Sequence, residues 1–108
     1  MTAEGDALKT TCKFLALTGK KITDRKGHIF TDDMISGNGT IFRFDRDGYL
    51  DGGMRPAIET ADGYVEYRRK GILHRKDLPA IYDLASGVQE YWEDGKLISV
   101  YKEANEVQ

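Results

Sequence analysis

Apolar and polar residues alternate along most of the chain, in short segments separated by glycine. Ile41-Phe42-Arg43-Phe44, Tyr64-Val65-Glu66-Tyr67, Ala80-Ile81-Tyr82 and Val88-Gln89-Glu90-Tyr91-Trp92 are rich in β-branched and aromatic residues, and most alternate as strands with one buried face do. Around them fall Asn38-Gly39, Asp47-Gly48, Asp51-Gly52, Asp62-Gly63 and Asp94-Gly95, dipeptides that tolerate the positive φ of two-residue hairpin turns. No window beyond Gly19 sustains helical spacing over three turns. The pattern predicts an all-β, single-domain antiparallel meander. The N-terminal stretch admits two readings. Leu8, Thr11, Cys12 and Leu15 would line one face of a short helix, whereas residues 10–17 also read as a strand. Ile22-Thr23 and His28-Ile29-Phe30-Thr31, either side of a turn at 24–27, offer that strand partners and favour it. Residues 1–7 and the tail from Lys102 read as frayed ends.

The chain also resembles itself. A shift of 23 superposes Phe42 on Val65, Phe44 on Tyr67, Gly48 on Gly71, Leu50 on Leu73, Pro56 on Pro79, Ala57 on Ala80 and Ile58 on Ile81. A further shift of 24, with one extra residue near Ser86, brings Tyr67 onto Tyr91, Gly71 onto Gly95 and Leu73 onto Leu97. About three hairpin units of 23–24 residues are therefore expected over 40–101, preceded by an N-terminal hairpin or extension over 1–39. In each unit the glycine turns the chain and the leucine starts the return strand. Proline sits at a strand start or edge, where its missing N–H costs least. This register predicts Phe44, Tyr67 and Tyr91 as one stripe on a sheet face, extended by Leu50, Leu73 and Leu97. Arg43, Glu66 and Glu90 then lie on the opposite, wetter face. A lone hairpin cannot bury such a stripe, so the units must stack. An uncovered sheet edge would leave the chain able to pair with a second copy.

Two segments carry a resemblance to a known family. Gly71-Ile72-Leu73-His74-Arg75-Lys76-Asp77-Leu78-Pro79-Ala80 and Tyr91-Trp92-Glu93-Asp94-Gly95-Lys96-Leu97 resemble the MORN-type hairpin repeats of bacterial and phage proteins, in the variant with Gly-x-x-His-Arg followed by Pro-Ala. The similarity runs from about Thr40 to Val100. Leu78 stands where glycine is usual, and Asp51-Gly52 replaces His-Arg in the earlier unit. The resemblance implies a non-catalytic scaffold that acts by binding another protein, as small antitoxin-like and anti-CRISPR-like inhibitors do.

Composition narrows the function classes. Of 108 residues, 40% are hydrophobic and 31% charged, which suits one folded domain and not a disordered chain. The longest apolar run, Phe14-Leu15-Ala16-Leu17, is far short of the roughly 20 residues of a membrane helix. The acidic N-terminus does not resemble a secretory signal, and one cysteine, Cys12, makes no internal disulfide. Both point to a reducing cytoplasm. Cys12, His28 and His74 lack paired metal-ligand spacing, and Asp45-Arg46-Asp47-Gly48 puts Met54 where a calcium loop needs its closing glutamate. No cofactor is expected. Gly37-Asn38-Gly39-Thr40 lacks the helix of a phosphate-binding loop, and Cys12 in an apolar strand is more simply an inert thiol than a nucleophile.

Charge is the remaining signal. Lys and Arg number 16 against 18 Asp and Glu, a net −2, but the signs are segregated. From Lys9 to Lys26 six cations face Asp24 alone, while from Asp83 onward six acids face Lys96 and Lys102. Arg68, Arg69, Lys70, Arg75 and Lys76 form a basic block, and Glu90, Glu93 and Asp94 an acidic one. The expected function is capture of another protein, or of a protein–nucleic acid complex, through one of these charged surfaces. The alternative is a single-stranded nucleic-acid-binding module built on the basic hairpin 68–76 with Tyr64, Tyr67 and Trp92 nearby.

Overall fold

A computed structural model describes residues 21–102. Nine strands form among them: β1 (Met34–Ile35), β2 (Ile41–Phe42), β3 (Ile58–Glu59), β4 (Tyr64–Glu66), β5 (Arg68–Arg69), β6 (Ile72–Leu73), β7 (Ile81–Asp83), β8 (Val88–Glu93) and β9 (Lys96–Lys102). Seven make one antiparallel sheet in the order β1-β2-β3-β4-β7-β8-β9, and β5-β6 form a separate hairpin between β4 and β7. The expected all-β meander is the architecture observed. The N-terminal turn also forms, with Thr23 bridged to Ile29 across residues 24–28. The helix-or-strand segment over 7–17 lies outside the described residues.

The turns are more varied than the dipeptides predict. Residues 24–28, 36–40, 45–49 and 60–64 repeat one design. The first residue's N–H donates to the carbonyl of the fifth, and the fourth residue, a glycine, donates back to the first. Gly27, Gly39, Gly48 and Gly63 take φ of 86°, 87°, 92° and 96°. These are three-residue loops, a type I turn closed by one left-handed residue. The leading side chain specifies them. Asp24 Oδ1 accepts from the His28 N–H at 2.9 Å, Ser36 Oγ from Thr40 at 3.2 Å, Asp45 Oδ1 from Tyr49 at 3.0 Å and Thr60 Oγ1 from Tyr64 at 3.1 Å. Two-residue turns with both φ positive occur at Lys70-Gly71 (50°, 82°) and Asp94-Gly95 (50°, 79°). Only the second was among the predicted dipeptides.

The repeat holds, but its register differs from the ungapped match. Phe44 bridges Leu50, Arg68 pairs with Leu73, and Trp92 pairs with Leu97. Phe42 faces Ile58 as Glu66 faces Ile81. On the outgoing strands the structural shift is therefore 24 both times, because the turn after Phe44 carries one residue more than the turn after Arg68. The predicted stripe is overturned. Phe42 and Phe44, Glu66 and Arg68, and Glu90 and Trp92 share one face, while Arg43, Tyr67 and Tyr91 lie on the other.

The core is concentrated at one end of the stack. Ile22, Phe42, Phe44, Leu50, Ala57 and Ile58 form one buried cluster with Phe30 and Met34 packed against it, and the Phe30 and Phe44 rings stack at 5.3 Å. Each fully buried side chain of this kind contributes about 1.5–3 kcal/mol. In the second hairpin the Phe42–Phe44 pair is replaced by an ion pair. Arg68 Nη2 lies 2.5 Å from Glu66 Oε1, its Nη1 donates to the Gly71 carbonyl at 3.3 Å, and the Tyr64 hydroxyl donates to Glu66 Oε2 at 2.5 Å. Burial and the Glu66 carboxylate both push the Tyr64 hydroxyl well above its ordinary range, so it stays a donor. In the third hairpin Trp92 Nε1 donates to Glu90 Oε1 at 2.8 Å, and Leu97 is 50% exposed.

Candidate functional site

Two adjacent hairpins carry matching loops, each anchored at both ends by one residue on the face that carries Tyr67 and Arg43. Tyr67 N–H donates to the Ala80 carbonyl at 2.6 Å, and its own carbonyl accepts from the His74 N–H at 3.1 Å. One residue, between β4 and β5, thus spans both ends of an excursion over 75–79. Arg43 does the same for 52–56, donating to the Ala57 carbonyl at 2.7 Å and accepting from the Asp51 N–H at 3.0 Å. Each loop closes on a proline whose carbonyl is held by an arginine: Pro56 by Arg43 Nη1 at 2.9 Å and Pro79 by Arg75 Nη1 at 3.2 Å. Gly52 is required in the first loop, since a Cβ there would stand 2.2 Å from the Arg55 carbonyl oxygen.

Between the loops lies a hollow of about 430 Å³. Tyr67 contributes to its lining and carries the Arg75 guanidinium 3.7 Å from its ring centroid, a close cation–π contact. Arg69, His74, Lys76, Met54 and Leu78 also line it. Met54 is 96% exposed and Leu78 50% exposed. His74 is held by the turn of the next hairpin: its Nδ1 accepts from the Asp94 N–H at 3.0 Å and lies 3.4 Å from Asp94 Oδ1. Its Nε2 is 3.4 Å from Arg69 Nη1.

The expected basic block is split by this geometry. Arg68 is 3% exposed and bound to Glu66 inside the sheet, so it does not belong to the outer surface where it was expected. Alternation put a charged residue on the inner face, and no sequence signal marked it because its partner Glu66 was assigned to the wet side. Lys70 projects over the preceding turn, with Nζ 2.9 Å from Asp45 Oδ2 and 3.3 Å from Asp47 Oδ2, and its N–H donates to Asp51 Oδ2 at 3.1 Å. It staples two hairpins together. Arg75 is engaged on Tyr67 and Pro79. Arg69 and Lys76 remain exposed, with no carboxylate within salt-bridge distance among the described residues. The acidic block is split as well. Glu90 shares the inner face with Trp92, whereas Glu93 and Asp94 are exposed at the β8–β9 turn. Met54 and Leu78 are site residues that the sequence pattern did not mark, and Tyr67 was named there as a site residue only for the nucleic-acid alternative. The paired positions of Pro56 and Pro79 were the signal that both loops exist.

The Lys70 staple makes stability depend on acid. Burial raises the Asp45 carboxyl, but the hydrogen bonds from Lys70 and from the Tyr49 and Asp47 N–H groups outweigh it and hold it below its ordinary 3.8. Its contribution is present above that value and lost as pH falls through the lower folded value. Asp45→Asn, which keeps the Oδ1 acceptor, is expected to destabilise the protein at neutral pH. Its urea midpoint should converge with the wild type only as pH falls below 3.8 and through the lower folded value. A constant gap down to the acid transition would exclude this linkage.

Among the described residues no group of three or more His, Cys, Asp or Glu is placed to hold a metal ion, and no helix is long and apolar enough to cross a membrane. The thiol–imidazole pair considered for Cys12 lies outside the described residues. Compared with known proteins, the chain matches no protein-family model, no curated protein and no solved structure.

Proposed function

We propose that the protein is a non-catalytic binding module, related in design to MORN-type repeats, that captures an acidic and apolar segment of another protein in the hollow between loops 52–56 and 75–79. One observation carries this reading. Two exposed cations with no carboxylate partner among the described residues, Arg69 and Lys76, share a concave surface with two exposed apolar side chains, Met54 and Leu78, on a hydrogen-bonded scaffold. The cations steer and register an anionic partner, and the apolar pair rewards desolvation on contact. His74 and Arg75 are held by Asp94 and Tyr67, so the surface is preorganised and binding orders few side chains. The nucleic-acid alternative needs open ring faces for base stacking, and Arg75 already occupies one face of Tyr67.

The test is fluorescence anisotropy with two labelled probes, a Glu- and Leu-containing decapeptide and a dT decamer, at about 50 and 200 mM salt. The peptide is expected to bind, more weakly at the higher salt. The double charge reversal R69E/K76E should reduce its affinity by at least about tenfold, or 1.4 kcal/mol. Tighter binding of the dT decamer would transfer the site to nucleic acid. Equal peptide affinity for the folded double variant would remove the hollow from the function.

A further inference from the structure

Among the described residues the last hairpin of the stack has no following turn to serve its return strand. Leu50 O accepts from the Gly71 N–H at 2.9 Å, and Leu73 O accepts from the Gly95 N–H at 2.9 Å, so each return strand is served by the turn of the next hairpin. Leu97 holds the same place in the third hairpin through its pairing with Trp92, and no fourth hairpin follows among the described residues. β9 is seven residues long and exposed throughout, with Leu97, Ile98, Val100 and Tyr101 at 50%, 60%, 56% and 54%. The other end of the sheet, β1, is two residues long.

The direction of the free polar groups follows from the pairing. Ala80 N–H donates to the Glu90 carbonyl at 2.8 Å, so Glu90 turns its backbone groups toward β7. Alternation turns those of Gln89 and Tyr91 toward β9, where their partners are Tyr101 and Ser99. Val100, opposite Glu90, therefore directs both its N–H and its carbonyl outward, and Lys102 does the same.

We propose that a second copy of this chain occupies the edge, β9 pairing antiparallel with β9 about a two-fold axis at Val100. In this register Val100 meets Val100 as a hydrogen-bonded pair, Tyr101 lies opposite Ser99, and Lys102 lies opposite Ile98. Moving the axis to Ser99 would set Lys96 against Lys102 and confront backbone groups already used by β8. Charge and hydrogen bonding thus both favour the Val100 axis over the Ser99 one. A two-fold operation matches donors, acceptors and apolar side chains to themselves, which a foreign strand satisfies only by coincidence. The register shift between Tyr91 and Trp92 bends the start of β9, so pairing is centred on its second half. The two sheets would fuse into one, with both hollows on the same face.

Sedimentation of the full chain across the micromolar range should show the mass rising from 12.2 kDa toward twice that value. Val100→Pro removes an N–H that no strand among the described residues uses, so it should keep the wild-type circular dichroism and stay monomeric. A Cys12→Ser background isolates new thiols. There Val100→Cys should form a disulfide-linked dimer under mild oxidation, since facing Cα atoms at about 5.5 Å suit that bond. Tyr101→Cys, whose partner is Ser99, should crosslink several-fold less. A monomer at every concentration, a dimer indifferent to Val100→Pro, or equal crosslinking at 100 and 101 would each overturn the proposal.

Discussion

Arg68→Ala is expected to lower the unfolding free energy by about 3–5 kcal/mol, a large share of the 5–15 kcal/mol typical of a domain. The side chain is 1% exposed and that of Glu66 7% exposed. Removing the guanidinium leaves a buried carboxylate with the Tyr64 hydroxyl, at 2.5 Å, as its one remaining side-chain donor among the described residues. The desolvation of Glu66 then goes uncompensated, and this dominates the loss. Lost packing of the arginine stem adds to it. The double substitution E66F/R68F restores the pattern that Phe42 and Phe44 show in the preceding hairpin. It should lie within about 1 kcal/mol of the wild type or above it, because apolar replacements of buried pairs are commonly neutral or stabilising. Urea melts of the two singles and the double complete the cycle. An Arg68→Ala cost below about 1 kcal/mol would mean that water reaches Glu66 and that the pair is a surface feature. The charged pair gives the middle hairpin a column that neither neighbour can supply, so a slip by one whole unit buries a charge against phenylalanine.

Much of the architecture was legible because it is written in local chemistry. Asp or Ser or Thr followed three residues later by glycine marks each three-residue turn, and Pro-Ala-Ile marks the re-entry of each loop into the sheet. Register was less legible. The 23-residue match is dominated by the return strands, whose glycine, leucine and Pro-Ala-Ile positions do shift by 23. The outgoing strands shift by 24, and there Phe42 falls on Glu66 and Phe44 on Arg68, pairs with no chemical likeness to detect. One extra turn residue exchanges the faces of an entire strand. This is why Tyr67 was assigned to the core and Arg68 to the surface, and why the hollow floored by Tyr67 was missed. Arg69 and Lys76 were found because both fall in the basic block and both are exposed, Arg69 at the end of β5 and Lys76 in the loop after β6. The separation of Lys70 from them depends on where Asp45 and Asp47 sit in the neighbouring hairpin, which only three-dimensional stacking decides.

Phe42→Ala should cost about 3–5 kcal/mol, whereas Trp92→Ala, two hairpins along the same face, should cost about 1 kcal/mol or less. Phe42 is 0% exposed, pairs with Met34 on one side and Ile58 on the other, and belongs to the cluster that includes Phe44 and Leu50. Its truncation opens a cavity between three strands that cannot collapse without breaking their ladder. Trp92 is only half-buried, its pairing partner Leu97 is 50% exposed, and the strand beside it is the open β9. Water already reaches that site, so truncation creates little void. Each hairpin touches mainly its sequence neighbours, so stability should grade along the stack rather than average over it. Amide exchange measured in dilute protein should then be slowest at β2 and β3 and fastest at β9, with the β4–β7 region between them. Equal costs for the two truncations, or uniform protection from β2 to β9, would show instead that the sheet unfolds as one unit and that the buried end confers no gradient.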